Sequence, residues 1–173
     1  MIMENRILFS EKQKFKQWWL WLILIGLNIL LIFGVFIQVV GGNDFGTNPI
    51  SDAALIMLTI FTLFMMVLLM SLQLVTQIKE DGIYVRFFPF HFKFKHYAWE
   101  DIKKSFVRKY SPLIEYGGWG LRFGIFGKGI AYNVSGNRGL QIELNDNRKV
   151  LIGTKKPDEL KSVLEKMGKL INY

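Results

Sequence analysis

The chain holds two histidines, His91 and His96, and an imidazole can ligate a metal or move a proton near neutral pH. They lie five positions apart. On one strand an odd offset sends them to opposite faces, so they cannot share an ion, and both read as surface imidazoles. Glu100 and Asp101 follow Trp99 and have the types of a general acid–base pair. Adjacent carboxylates at a strand turn usually accept backbone N–H bonds, and that is the expectation here. Gly127-Lys128-Gly129 invites a phosphate-loop reading. The motif GxxxxGK[ST] would need Gly where Arg122 stands, and Ser or Thr where Gly129 stands. Neither GxSxG nor HExxH occurs. The chain contains no Cys, which removes disulfides, thiolate nucleophiles, cysteine-held zinc and iron–sulfur clusters. No catalytic residue, metal site or cofactor is expected, and the chain reads as non-enzymatic.

What the residues offer instead is positive charge. Lys and Arg number 22 against 14 acids, a formal net charge of +8 on 173 residues. Lys93 and Lys95 alternate with Phe90, Phe92 and Phe94, which on a strand puts the cations on one face and the rings on the other. Lys103, Lys104, Arg108 and Lys109 follow on the next basic segment. Two adjacent strands so built would offer a cationic face to a partner or to anionic lipid headgroups. Because the Phe side belongs to the core, the aromatic platform that holds single-stranded nucleic acid is missing, and nucleic acid is not expected. Trp119, set among glycines in residues 116–122, is the candidate contact for a protein partner.

These residues depend on elements that the hydropathy pattern shows directly. Residues 18–40 and 53–75 are two 23-residue stretches without an ionisable side chain. Each is long enough, as a helix, to cross a hydrocarbon core of roughly 30 Å. The first is too long for a cleaved signal peptide and reads as an anchor. Four Lys/Arg precede it, none occurs in residues 41–52, and 18 follow the second stretch. By the positive-inside rule both termini are cytoplasmic and the 41–52 loop lies outside, which puts the protein in the plasma (inner) membrane. Trp18, Trp19 and Trp21 suit the interfacial belt. Asn28, mid-span, reads as a helix–helix hydrogen bond.

The organisation expected is a cytoplasmic segment 1–17, a membrane hairpin 18–78 and a cytoplasmic domain 79–173. Lys79-Glu80-Asp81-Gly82 carries turn chemistry. Strands are predicted over residues 83–88, 90–95 and 102–110, and a hairpin over 140–144 and 149–152. Eight Gly between 117 and 139 suit short strands and bulges. A helix is predicted over 157–171: Pro157 fits a first helical position, and Leu160, Val163, Leu164, Met167, Leu170 and Ile171 form one apolar stripe.

Several segments carry a family pattern: residues 78–85, running straight on from the second apolar stretch; Trp99-Glu-Asp-Ile102; Tyr116-Gly-Gly-Trp-Gly-Leu-Arg122; and Leu151-Ile-Gly-Thr154 before Pro157-Asp-Glu-Leu160. In these the chain resembles, over about residues 15–173, the bacterial pleckstrin-homology-like (PH-like) membrane proteins. The resemblance implies an α+β membrane protein: a two-helix transmembrane hairpin followed by an antiparallel PH-like barrel or sandwich of six to seven strands, capped by a C-terminal helix. It lends no activity and no ligand residues. The expected role is protein interaction or scaffolding at the membrane, with anionic-lipid sensing through the basic strand face as the alternative.

Overall fold

An apolar run can satisfy its backbone polar groups internally only as a helix, and most of each long run does so. The computed structural model describes residues 6–124 and 127–170. Trp18–Val35 forms α1, which continues as a π-helical segment, Phe36–Val40, and Asp52–Ser71 forms α2. Both are long and apolar enough to cross a membrane. Asn28 is buried between them. Its Nδ2 donates to the Leu24 carbonyl at 2.8 Å, and Thr62 Oγ1 donates to Asn28 Oδ1 at 3.0 Å. The two helices belong to one compact unit, Lys16–Ser71; Met1–Phe15 together with Leu72–Tyr173 make the other.

The second apolar stretch does not stay helical to residue 75. After Ser71 the chain becomes a strand, Gln73–Lys79 (β2), because partners wait on both sides. Ile7–Lys14 (β1) pairs with it antiparallel, Lys14 opposite Gln73. Gly82–Phe88 (β3) pairs on the other side, Gln73 opposite Phe88. Thus the segment ahead of α1 is part of the folded sheet domain. Glu80 and Asp81 make the two-residue turn between β2 and β3. A Cβ on Gly82 would strike the Tyr97 carbonyl, so glycine is required there. Lys95–Ala98 (β4) completes a sheet ordered β1-β2-β3-β4.

The predicted strand over 90–95 does not form. Residues 89–94 are the turn-rich connection from β3 to β4, so Phe90 and Phe92 are exposed instead of lining a core. The cause is Pro89, which cannot donate to a ladder, followed by a tight turn in which His91 N–H donates to the Phe87 carbonyl at 2.8 Å. The two histidines therefore share no strand: His91 sits in this turn and His96 on β4.

The second sheet has five strands: Ile102–Lys109 (β5), Gly120–Phe123 (β6), Ile130–Asn133 (β7), Arg138–Leu144 (β8) and Lys149–Gly153 (β9), in the order β5-β8-β9-β7-β6. Its β7–β9 pair is parallel, so the domain is not wholly antiparallel. The two sheets do not close into a barrel: among the described residues, no backbone ladder joins a strand of one sheet to a strand of the other. A 3-10 turn, Trp99–Asp101, separates β4 from β5 and breaks the ladder there. Within that turn the Glu100 and Asp101 carboxylates are not the acceptors that were expected. Their main-chain carbonyls are, taking bonds from Asn145 Nδ2 and N–H.

Side chains close the gap between the sheets. The core combines Leu74, Ile78 and Phe87 from the first sheet with Leu140, Ile142 and Ile152 from the second. Pro157–Lys166 (α4) lies against β1, β5 and β8, with Leu160 and Leu164 fully buried. This helix stops short of its apolar stripe because Gly168 takes φ +64°. Its N–H donates to the Glu165 carbonyl while Lys169 N–H donates to that of Leu164, a Schellman cap. Leu170 lies beyond the cap, and Ile171 lies outside the described residues. Glu11, buried on β1, completes the link. Its Oε2 accepts from Thr154 Oγ1 at 2.6 Å and its Oε1 from the Lys155 N–H at 2.8 Å, while Gln13 Nε2 donates to the Gly153 carbonyl at 2.8 Å.

Candidate functional site

The basic residues singled out in the sequence do not lie on adjacent strands of one sheet. Lys95 begins β4 in the first sheet and Lys93 precedes it, whereas Lys103, Lys104, Arg108 and Lys109 lie on β5 in the second. Arg108 is engaged. Its guanidinium forks onto Glu115, 2.8 Å to Oε2 and 3.2 Å to Oε1, and its Nε donates to Gln141 Oε1 at 3.1 Å. Trp119 is half-buried, its indole N–H donating to the Gly136 carbonyl at 3.1 Å. It lies in the turn that precedes β6.

Three of the exposed apolar residues stand either side of that turn. Pro112–Tyr116 forms α3, a single turn with Pro at its start. It ends where Gly117 adopts φ +68°, with Gly117 N–H donating to Leu113 and Gly118 N–H to Pro112. Tyr116 turns inward and is buried with Tyr110, Ala131 and Leu151. Leu113 and Ile114 are left 64% and 79% exposed, and Phe123, at the end of β6, is 77% exposed. Among the described residues strand β6 is hydrogen-bonded to β7 alone, at one of the two edges of its sheet. A free edge beside large apolar side chains is the arrangement that accepts an added strand or an apolar partner. Sequence reading passed over these three residues. The available signal was Leu113-Ile114 within so short a helix, since neighbours at i and i+1 cannot both face one core.

The Arg108–Glu115 pair holds α3 to β5. Both side chains are partly buried, so the pair is screened less than a fully exposed one. The hydrogen bond from Arg108 holds the Glu115 carboxyl below its ordinary value of 4.5, outweighing the opposing effect of burial. A carboxyl depressed on folding stabilises above its unfolded pKa, and that contribution is lost as pH falls through the folded value. Glu115→Gln is thus expected to cost about 1–2 kcal/mol at neutral pH. The difference from wild type should shrink as pH drops below about 4.5, followed by thermal unfolding of the full chain in detergent. A pH-independent difference would count against the pair.

A cavity of about 670 Å³ opens between β4 and the β8–β9 turn, lined in part by Lys95, Tyr97, Arg148 and Lys149. Its charges are largely self-paired: Arg148 with Asp146 at 2.6 Å, Lys149 with Glu143 at 3.7 Å. Among the described residues, no three His, Asp or Glu side chains gather as a metal site. Comparison with known proteins finds one family model, described as a family of unknown function (DUF6141), which matches residues 2–168. No curated protein and no solved structure gives a significant match.

Proposed function

The chain belongs to the DUF6141 family, whose description carries no function, and we propose that it is a membrane-anchored, non-catalytic PH-like module that docks a protein partner at the α3–β6 corner. The observation that carries this reading is the exposure of Leu113, Ile114 and Phe123 beside a free sheet edge. Solvent exposure of large apolar side chains is unfavourable by about 25 cal/mol per Å², so a partner that covers these three is the reading they favour. The occupant is a polypeptide with an extended apolar segment, able to pair with β6 and cover the three side chains.

Anchoring by α1 and α2 is supported by two facts. Both helices carry mostly exposed apolar side chains, which no soluble core helix does. The pairing of Lys14 with Gln73 requires the chain to leave and re-enter the domain on one side, as two crossings do. The absence of Lys and Arg from residues 41–52 supports a cytoplasmic domain. A PH-like assignment is supported by two sheets sharing a core with a C-terminal helix laid across strands of both.

A photo-crosslinking amino acid at Phe123 of the full-length protein in its native membrane should give a discrete adduct with another polypeptide. Leu113→Asp with Ile114→Asp should abolish it. No adduct, or one indifferent to those substitutions, would overturn the docking reading. The orientation is read in the same cells. A cysteine placed at Asn48, in a chain with none of its own, should react with a membrane-impermeant maleimide; no reaction reverses the orientation.

A further inference from the structure

The β3–β4 connection combines three features. Phe90 and Phe92 are 58% and 74% exposed. They are nevertheless held in place: Phe92 meets Phe88 edge-on at 5.6 Å between ring centres, and Phe90 stacks on Phe87 at 6.0 Å. Exposed Lys93 and Lys95 follow directly. Rings fixed in an exposed posture lose little conformational freedom when they enter an apolar medium. Lysines beside them would meet the headgroup phosphates of that medium.

The register of the first sheet says which medium is within reach. Phe88 is paired with Gln73, and Gln73 with Lys14. Only Leu72 separates Gln73 from the end of α2, and only residues 15–17 separate Lys14 from the start of α1. Two residues of extended chain reach about 7 Å, and the neighbouring strand lies about 5 Å further. The loop that follows Phe88 therefore springs from the sheet end where the chain passes into both apolar helices. The opposite end of the same strands carries Glu80 and Asp81, which are acidic and exposed. One end of the sheet thus carries exposed rings and lysines, and the other exposed carboxylates.

We infer that the β3–β4 loop is a membrane-insertion loop, in which Phe90 and Phe92 enter the acyl boundary of the leaflet from which α1 and α2 span while Lys93 and Lys95 contact anionic headgroups. The inference rests on the reading of α1 and α2 as membrane spans, and not on the α3–β6 docking surface. The loop is a third point of attachment. It would keep the first sheet's helix-proximal end at the lipid surface and so limit the tumbling of the domain about its tethers.

The absence of cysteine makes a direct test simple. Single cysteines at Phe92, at Glu80 and at Ile25 within α1 are labelled with an environment-sensitive fluorophore. Each full-length protein is reconstituted into vesicles of phosphatidylethanolamine and phosphatidylglycerol. Lipids bearing a shallow spin-label quencher should remove most emission from positions 92 and 25, and aqueous iodide should quench position 80 alone. If position 25 is quenched by lipid but position 92 responds to iodide, the loop proposal is overturned and the spans stand. If position 92 is shielded from both quenchers it lies against protein, which also overturns the proposal. If position 25 escapes the lipid quencher, the span reading fails and the loop proposal falls with it.

Discussion

Glu11→Ala is expected to destabilise the sheet domain by about 2–4 kcal/mol, a large effect for one exchange on a segment of eight residues. The Glu11 carboxylate is buried and accepts two hydrogen bonds, from the Thr154 hydroxyl and the Lys155 amide. Thr154 in turn accepts from the Lys156 N–H at 3.0 Å, so one side chain organises the entry to α4. Truncation would leave the buried Thr154 hydroxyl and the part-buried Lys155 amide without that acceptor, and that desolvation dominates the loss. Glu11→Gln keeps one acceptor oxygen and should cost clearly less. The quantity to measure is the urea midpoint of the full chain in detergent, read by tryptophan fluorescence. Equal losses for Ala and Gln would show that the charge, not the bonding, matters. No loss for Ala would mean that β1 is held by its ladder to β2 alone.

Leu164→Ala should cost about 2–5 kcal/mol, the usual range for a fully buried leucine whose surroundings collapse only in part. Leu164 and Leu160 are the side chains by which α4 enters the shared core, and both are inaccessible to solvent. No backbone ladder joins the two sheets among the described residues, so their association depends on side-chain burial more than it would in a closed barrel. The Tm of the full chain in detergent should fall well below that of Glu165→Ala, on the helix's exposed side, where a change within about 0.5 kcal/mol is expected. A loss under 1 kcal/mol at Leu164 would place the joint between the sheets elsewhere.

Part of this architecture can be read without coordinates, and the reason is the same wherever the reading works. Residues 18–40 announce a helix because no charge interrupts them, and Asp81-Gly82 and residues 145–147 announce turns by local backbone chemistry. The stripe from Leu160 to Met167 announces an amphipathic helix. Each signal is complete within a few residues of chain. Strand β1 offers no such signal, because its inward positions are Phe9, Glu11 and Gln13. Two of those three are polar, and they are stable inside only through Thr154 and Gly153, some 140 residues away. Residues 72–75 misled for the opposite reason. An uncharged run is equally compatible with a membrane helix and a buried strand, and the partners β1 and β3 decide between them.

The same division holds for the candidate surfaces. Alternation of Phe with Lys over residues 90–95 is a strand pattern, yet Pro89 and the turn at His91 take the segment out of the ladder and leave two rings in the open. The basic segments are adjacent in sequence, but a three-residue turn assigns them to different sheets, and Glu115 neutralises Arg108. From its sequence alone this protein is determined to have two long apolar helices, a mixed domain rich in strands, no thiol chemistry and an excess of positive charge, since these depend on composition and local periodicity. Which strands pair, which polar groups go inside, and which apolar side chains remain exposed were decided by the tertiary structure. Those outcomes depend on hydrogen-bond and packing partners far away in the chain, and no local window contains them.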